Sequence, residues 1–376
     1  MVTIEKNKGP SLIKNIDWIL LITVLLLNVC GLVAVKSVAG HLKQPSLFSK
    51  QLLASFIGIA CMVLVMLLDY KDFKILSIPA YIGTVLLLLI VLIFGVGREE
   101  TGTRGWIDLG PFALQPSELG KVTLAIVSAV YFERIKQGDG GMNYVWLIAS
   151  SGLLIGLVLL QPDFGTSVVY LFMLACVIFV AGIRYRTILI MLGSLIVALP
   201  VLWFSVIEKV LAPFQMQRIL SFLNPEAFAR TGAYQVLMSI RYIGSGTLTG
   251  VEPGAQKAAK NVPAAATDSI FAVIGEEWGF VGSALIVVLF LILLLRCLYI
   301  SRFAKDKYGS YVVIGLMAMF FFHFLENVGM NLGMLPVTGI PLPFISSGGT
   351  SLMVNYIAIG VIMSISMRRQ KPLFEA

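Results

Sequence analysis

Charged residues are scarce in this sequence of 376 residues, in which Asp, Glu, Lys and Arg together make up 13%. Soluble globular domains carry roughly 25% charged residues. The hydrophobic fraction is 58% and the mean hydropathy is +0.92. The apolar residues occur in helix-length runs, which excludes the alternating ten-residue segments of a membrane barrel. The composition predicts an all-α integral membrane protein with a single domain over residues 1–376.

Histidine and cysteine are also scarce, with two and four residues respectively. The cysteines lie far apart inside apolar runs and show no CxxC spacing, so we expect neither a disulfide nor a zinc site. The net charge of +8 would indicate a nucleic-acid partner in a soluble protein. In a membrane protein the positive-inside rule accounts for it, and we expect no nucleic-acid partner.

Ten apolar runs are candidates to span a bilayer. The fourth is shorter than the ~20 residues that a span needs, so it must extend into the polar residues beside it. The eighth is too long for a straight span, and Gly279 permits a bend inside it. The ten runs are Trp18–Val35, Leu52–Leu68, Leu76–Val96, Leu119–Phe132, Val145–Leu160, Gly165–Gly182, Ile188–Ile207, Ile270–Ile300, Val312–Leu335 and Leu352–Met367.

The distribution of Lys and Arg predicts the orientation of these spans. A cytoplasmic N-terminus places sixteen basic residues in inside segments and four in short outside loops. The positive-inside rule then predicts that both termini are cytoplasmic. One large extracellular loop, residues 208–269, joins helices 7 and 8. It contains two semi-apolar pieces, Met216–Leu223 and Tyr234–Ile243, which are typical of interfacial or re-entrant helices.

Asp268 is an isolated carboxylate directly before the eighth run. A carboxylate at a membrane boundary is costly unless it is paired or used. Two interpretations stay open at this point. Asp268 and Thr267 are both residue types that cap helices well, and Asp268 is equally a candidate catalytic base.

The predicted topology collects further polar segments at the outer face. Thr103–Lys121 leads into helix 4, Gln161–Thr166 links helices 5 and 6, and Leu335–Gly349 links helices 9 and 10. The last segment is rich in proline and glycine, and such non-helical backbone survives at membrane depth only where it is buried or lines a cavity. Together with Asp268, these segments predict one outward-facing polar cavity.

Two structural alternatives accompany this prediction. Glu118 and Lys121 are three residues apart on one helix face, so they can form an ion pair that fixes helix packing. Asp163 follows Pro162 in a very short loop, where a turn or cap role is equally open.

Four segments carry a resemblance to a known family: RGWIDLGPFALQPSELGK, QPDFGT, NVPAAATDSIFAVIGEEWGF and LPVTGIPLPFISSGG. Their order over nearly the whole chain resembles the SEDS family (shape, elongation, division and sporulation), and LPVTGIPLPF is most similar to its RodA members. The resemblance implies a peptidoglycan glycosyltransferase that polymerises lipid II at the outer face of the bacterial cytoplasmic membrane during cell-wall elongation. It also implies a class B penicillin-binding protein as partner.

The chain departs from the family pattern around Asp268. The family usually has Glu and His where Ala264 and Ala266 stand, and Phe where Ser269 stands. Its SYGGS motif reads SSGGT here, with Ser347 in place of Tyr. These departures leave room for a specialised, sporulation-type or non-catalytic scaffold for a partner synthase.

The resemblance also implies roles for individual residues. Asp268 is the expected catalytic base. We expect six residues to bind substrate: Glu118, Lys121, Asp163, Arg218, Gln115 and Ser346. Arg104 is a seventh, and the basic residues among these can hold diphosphate oxygens. Asp163 or Glu118 can instead help to hold Mg²⁺ or Mn²⁺, which favour carboxylate and phosphate oxygens.

A lipid II flippase is the alternative from another functional class. Polar groups inside a helical bundle suit a transporter as well as a polymerase. A transporter needs such groups accessible from both faces in turn, whereas the carboxylates in this sequence cluster on the outer side.

Overall fold

The computed structural model describes residues 15–97, 105–108, 110, 113–139, 141–182, 213–252 and 254–369. The predicted seventh run and Arg104 lie outside these ranges. We number the helices and strands of the described residues in chain order: α1 (Trp18–His41), α2 (Pro45–Leu67), α3 (Tyr70–Ile75), α4 (Ser77–Phe94), β1 (Ile107–Asp108), β2 (Ala113–Leu114), α5 (Pro116–Lys136), α6 (Gly141–Leu160), α7 (Phe164–Val180), α8 (Pro213–Leu223), α9 (Tyr234–Ser245), α10 (Ala258–Asn261), α11 (Ile270–Arg302), α12 (Lys307–Asn331) and α13 (Gly349–Met367).

Nine of the ten predicted runs lie on these helices. Seven described helices are long and apolar enough to cross a membrane, namely α1, α2, α4, α6, α11, α12 and α13. Helix α7 is apolar but has only 17 residues, and α5 carries several charges. The chain is therefore a multi-pass helical membrane protein, while the count of ten spans and the placement of the large loop stay predictions. The two semi-apolar pieces of that loop form α8 and α9.

Helix α5 extends the short fourth run at both ends, as the sequence requires. It begins at Pro116, whose fixed φ suits the first helical position. Glu118 lies in its first turn, while Arg134 and Lys136 lie in its last turn. These charges complement the partial charges at the helix ends.

Helices α12 and α13 form the centre of the bundle. Helix α13 is buried along most of its length and packs mainly against α2, whereas α12 packs against α5, α7 and α11. The buried polar groups on these two helices therefore need partners within the protein.

Helix α11 bends at Gly279, as predicted. Gly279 has φ 63° and ψ −159°, a backbone conformation that side chains with a Cβ rarely adopt. The glycine-rich turn Gly244–Gly250 crosses the helix here, and the Thr247 carbonyl accepts a hydrogen bond of 2.9 Å from the Phe280 amide. A Cβ on Gly279 would lie 2.4 Å from the Gly250 nitrogen, so only glycine allows this approach.

Glu276 of α11 forms hydrogen bonds with a second part of the loop, at Lys257 and Ala258. Its side chain is buried, and its carboxylate accepts hydrogen bonds of 2.7–3.0 Å from the backbone amides of Lys257 and Ala258 at the start of α10. Backbone donors thus compensate a buried charge. The segment that leads to Asp268 is therefore fixed to the membrane helix that follows it.

Candidate functional site

One cavity of about 610 Å³ brings together segments that are distant in the sequence. Its wall comes from α2, α5, α8, α9 and the non-helical segments before α7, α11 and α13. Six predicted site residues line it: Gln115, Glu118, Lys121, Asp163, Arg218 and Asp268. Trp106 lines it as well. The predicted convergence of these polar segments on one cavity is therefore what the structure shows.

Asp268 lies just before α11, but it is not the residue that caps this helix. The N-cap position is Ser269, and it makes no side-chain capping hydrogen bond. The Ser269 hydroxyl instead accepts a hydrogen bond of 2.9 Å from Gln235 on α9. The capping interpretation of Asp268 therefore has no support in the geometry.

The surroundings of the Asp268 carboxyl bring its pKa closer to neutral pH. Burial raises its pKa to about 6, against the opposing effects of the Arg218 charge and a hydrogen bond with Thr267. A general base works best when its pKa lies near the operating pH. The surroundings of Asp268 thus suit it to accept a proton.

Ser346 is the predicted site residue that lies behind the cavity wall. It is buried, and its hydroxyl donates to the Thr267 carbonyl at 2.6 Å while accepting from the Leu342 amide at 2.8 Å. The Ser347 amide donates to the Ala266 carbonyl at 2.7 Å. The segment before α13 therefore supports the segment that carries Asp268.

Asp163 caps α7 and also lines the cavity. One carboxylate oxygen caps α7 by accepting from the Thr166 amide at 3.1 Å. The other oxygen accepts from the Gln115 side-chain amide at 3.2 Å and from the Ser117 hydroxyl at 3.4 Å. Burial raises the pKa of Asp163.

Glu118 and Lys121 form the predicted ion pair, and they also line the cavity. The Lys121 ammonium lies 2.6 Å from Glu118 Oε1 and 3.0 Å from His323 Nε2, and all three side chains are buried. An ammonium group only donates, so His323 Nε2 accepts and its proton lies on Nδ1. His323 thus has a specific partner in the site that its isolated position in the sequence did not reveal.

Asp163 and Glu118 are the carboxylates for which a metal role is predicted. Among the described residues, no three His, Cys, Asp or Glu side chains are grouped closely enough to hold a metal ion. One Glu118 oxygen contacts an ammonium group, and both Asp163 oxygens already accept hydrogen bonds. The other Glu118 oxygen, Oε2, has no hydrogen-bond partner among the described residues. A role of Asp163 or Glu118 in holding Mg²⁺ or Mn²⁺ therefore stays a prediction.

Gly339 separates the carboxylate of Asp268 from the guanidinium of Arg218. A Cβ on Gly339 would lie 3.4 Å from Asp268 Oδ2 and 3.9 Å from Arg218 Nη1. Gly339 has φ +85°, and the carbonyl of the preceding Thr338 accepts from Arg218 at 3.2 Å. The missing side chain leaves a small space with a carboxylate and a cation at its edges.

Three polar residues of α12 that were not predicted lie beside this space: Glu326, Asn327 and Asn331. All three are buried, and Glu326 accepts a hydrogen bond from the Thr338 hydroxyl. The signal was available, because a charged side chain inside an apolar run of spanning length marks a functional site by default.

Comparisons with known proteins identify the family of this chain. Residues 17–371 match the family model FtsW/RodA/SpoVE, described as "Cell cycle protein". Stage V sporulation protein E of Bacillus subtilis is 34% identical over 370 residues, which cover 96% of this chain and 98% of that protein. Peptidoglycan glycosyltransferase RodA of Treponema pallidum is 30% identical over 430 residues, with 95% and 99% covered.

A solved structure gives the same result at the level of the fold. It belongs to a peptidoglycan synthase complex that coordinates polymerization and crosslinking. The similar chain has a TM-score of 0.79 and 29% identity, with 95% of this chain and 99% of that chain covered. On the family model and the two relatives, the chain belongs to the FtsW, RodA and SpoVE family of membrane peptidoglycan glycosyltransferases.

Proposed function

We propose that this protein polymerises lipid II into glycan strands at the outer face of the cytoplasmic membrane, with Asp268 as the catalytic base. One observation carries the proposal. A single cavity holds a carboxylate whose pKa is raised to about 6, together with the basic residues Lys121 and Arg218. This is the set of groups that an inverting transfer from a diphosphate-linked sugar needs.

The reaction consists of one in-line displacement. The acceptor sugar hydroxyl oxygen attacks the anomeric carbon of the donor, whose bond to the diphosphate oxygen breaks as the new glycosidic bond forms. The hydroxyl proton passes to the Asp268 carboxylate, and the bonding electrons leave with the diphosphate. Inversion at the anomeric carbon converts an α-linked donor into a β-linked product.

Lys121 and Arg218 are the candidates to stabilise the departing diphosphate. Lys121 approaches the cavity from α5, and Arg218 approaches it from α8 in the predicted extracellular loop. Fixed cations in a cavity that excludes water act more strongly than the same charges in solution. Gln115 and Asp163 are hydrogen-bonded to each other beside them, where they can contact the sugars.

We further propose that the cavity faces outward, that both termini are cytoplasmic, and that the chain works with a class B penicillin-binding protein. The excess of basic residues in the predicted inside loops supports the orientation. The similar chain from a complex for polymerization and crosslinking supports a transpeptidase partner. A scaffold without activity, or a flippase, would not polymerise lipid II when combined with that partner.

The orientation predicts opposite labelling of two exposed lysine positions. A cysteine at Lys257, just before α10, should react in intact cells with a membrane-impermeant maleimide. A cysteine at Lys305, between α11 and α12, should react only after the cells are permeabilised. The parent protein with its four native cysteines gives the background. The reverse labelling pattern would place the cavity on the cytoplasmic side.

The buried ion pair predicts a separation of stability from activity. Glu118→Gln or Lys121→Met alone leaves an unpaired buried charge, which typically costs about 3–5 kcal/mol. The double variant removes both charges, so it should melt at a higher temperature than either single variant. Its polymerisation should still fall by about 10–100-fold, because a charged hydrogen bond to the diphosphate is worth about 1.5–3 kcal/mol.

The control for this experiment is the ion pair between Lys74 on α3 and Glu133 on α5, which lies outside the cavity. The double variant Lys74→Met, Glu133→Gln should polymerise at the wild-type rate. Wild-type activity in the Glu118→Gln, Lys121→Met protein would show that this pair serves only packing.

The proposed role of Asp268 as the base predicts that two different substitutions at this position are equally inactive. Asp268→Asn keeps the size of the side chain, and Asp268→Ala removes it. Both should lower lipid II polymerisation by about 10²–10⁴-fold, the usual contribution of a general base. Both should reach normal levels in the membrane, since the structure gives Asp268 no capping role. The assay uses the partner synthase with its transpeptidase blocked, and an Asn variant as active as wild type would eliminate Asp268 as the base.

A further inference from the structure

Helix α12 presents a pair of buried amides toward the segment that carries Asp268. The amide pair consists of Asn327 and Asn331, which are four residues apart and share one helix face. Their exposed fractions are 0% and 1%. A buried side-chain amide costs free energy unless it is hydrogen-bonded, so its partners indicate what the amide pair does.

Both amides donate to the main-chain carbonyl of Asp268. The distances from Nδ2 are 2.9 Å for Asn327 and 3.0 Å for Asn331. Asn327 Nδ2 also donates to the Ile340 carbonyl at 2.8 Å, and Asn331 Nδ2 donates to the Asn327 carbonyl at 2.8 Å. One turn of α12 therefore joins the Asp268 segment to the segment that follows Gly339.

The same turn of α12 also contacts Arg218 indirectly, through Thr338. The neighbouring Glu326 accepts a hydrogen bond from the Thr338 hydroxyl, and the Thr338 carbonyl accepts from Arg218 Nη1 at 3.2 Å. The groups on both sides of the space at Gly339 are thus anchored to one rigid helix.

We propose that the amide pair consists of positioning residues that aim the Asp268 carboxylate into the space at Gly339. The inference rests on the proposed function and adds residues that are not among those lining the cavity. Asp268 lies outside α11, so no helical hydrogen bond of its own fixes its direction. Two donors on its carbonyl fix the backbone from which the carboxylate projects. A displacement of about 1 Å at a reacting group can cost about 100-fold in rate.

Two substitutions at Asn331 remove the amide that donates to the Asp268 carbonyl, and they change the packing in opposite directions. Asn331→Leu adds volume, and Asn331→Ser leaves a small void. Asn331 Oδ1 has no hydrogen-bond partner among the described residues, so neither change leaves a donor unpaired. The serine hydroxyl can donate a hydrogen bond to the Asn327 carbonyl one turn earlier in the helix. The serine variant therefore still allows the test if the leucine variant does not fold.

We expect both variants to lower kcat by about 10–100-fold with KM for lipid II unchanged, since the binding residues of the cavity stay in place. The measurements are initial rates against lipid II concentration, with the partner's transpeptidase blocked, and the melting temperature in detergent. The control is Asn143→Leu at the start of α6, where the buried Asn143 amide donates to the Asp139 carbonyl at 2.6 Å. It removes a comparable bond away from the cavity and should retain the wild-type kcat.

A wild-type kcat in the Asn331→Ser protein would overturn the inference. So would a rise in KM without a fall in kcat, a fall in kcat for only one of two folded Asn331 variants, or an equal fall for Asn143→Leu. Failure of the wild-type protein to polymerise lipid II would instead contradict the proposed function itself.

Discussion

Polar groups that are buried between apolar helices must find their partners inside the protein, and this constraint shapes the whole molecule. At one end of the bundle, Asp17 caps α1 and also pairs with Arg296 and Arg369, which ties the first helix to α11 and to the end of the last helix. In the middle, Lys121 is held between Glu118 and His323. The amide pair of α12 meets the same requirement by holding the carbonyl of Asp268. The hydrogen bonds and ion pairs between buried polar groups therefore also fix the positions of the polar residues around the cavity.

At Asp268, burial and a neighbouring charge together determine the pKa of the carboxyl group. Removal of water around the carboxyl favours its neutral form and raises its pKa, while the positive charge of Arg218 favours the ionised form and lowers it. Burial is the larger effect, and the balance leaves the pKa at about 6. A carboxylate in this range is mostly ionised at neutral pH and is a stronger proton acceptor than an ordinary aspartate. In the proposed mechanism, the Arg218 charge would therefore serve both the leaving diphosphate and the ionised form of Asp268.

Much of the architecture could be predicted from the sequence because apolar runs and isolated charges carry strong signals in membrane proteins. The bend at Gly279, the extension of α5 and the convergence of Gln115, Asp163 and Asp268 followed from such signals. The long-range partners of the buried groups could not be predicted. Ser346 and His323 act through contacts with residues 79 and 202 positions away, and sequence spacing contains no measure of such contacts. The capping alternative for Asp268 was a local argument, and it failed because α11 begins one residue later, with Ser269 at the N-cap position.

The pH dependence of polymerisation tests the central claim most directly. The measurement is kcat/KM for lipid II between about pH 5 and 8.5 with the partner's transpeptidase blocked, because this parameter reports the ionisation of the free enzyme. Only ionised Asp268 accepts the proton, so kcat/KM should be constant above the pKa and should fall about tenfold per pH unit below about 6. Recovery of full activity after return to neutral pH controls for unfolding. A profile that stays flat down to pH 5, as a base with the ordinary aspartate pKa of 3.8 would give, would contradict the assignment of Asp268 as the base.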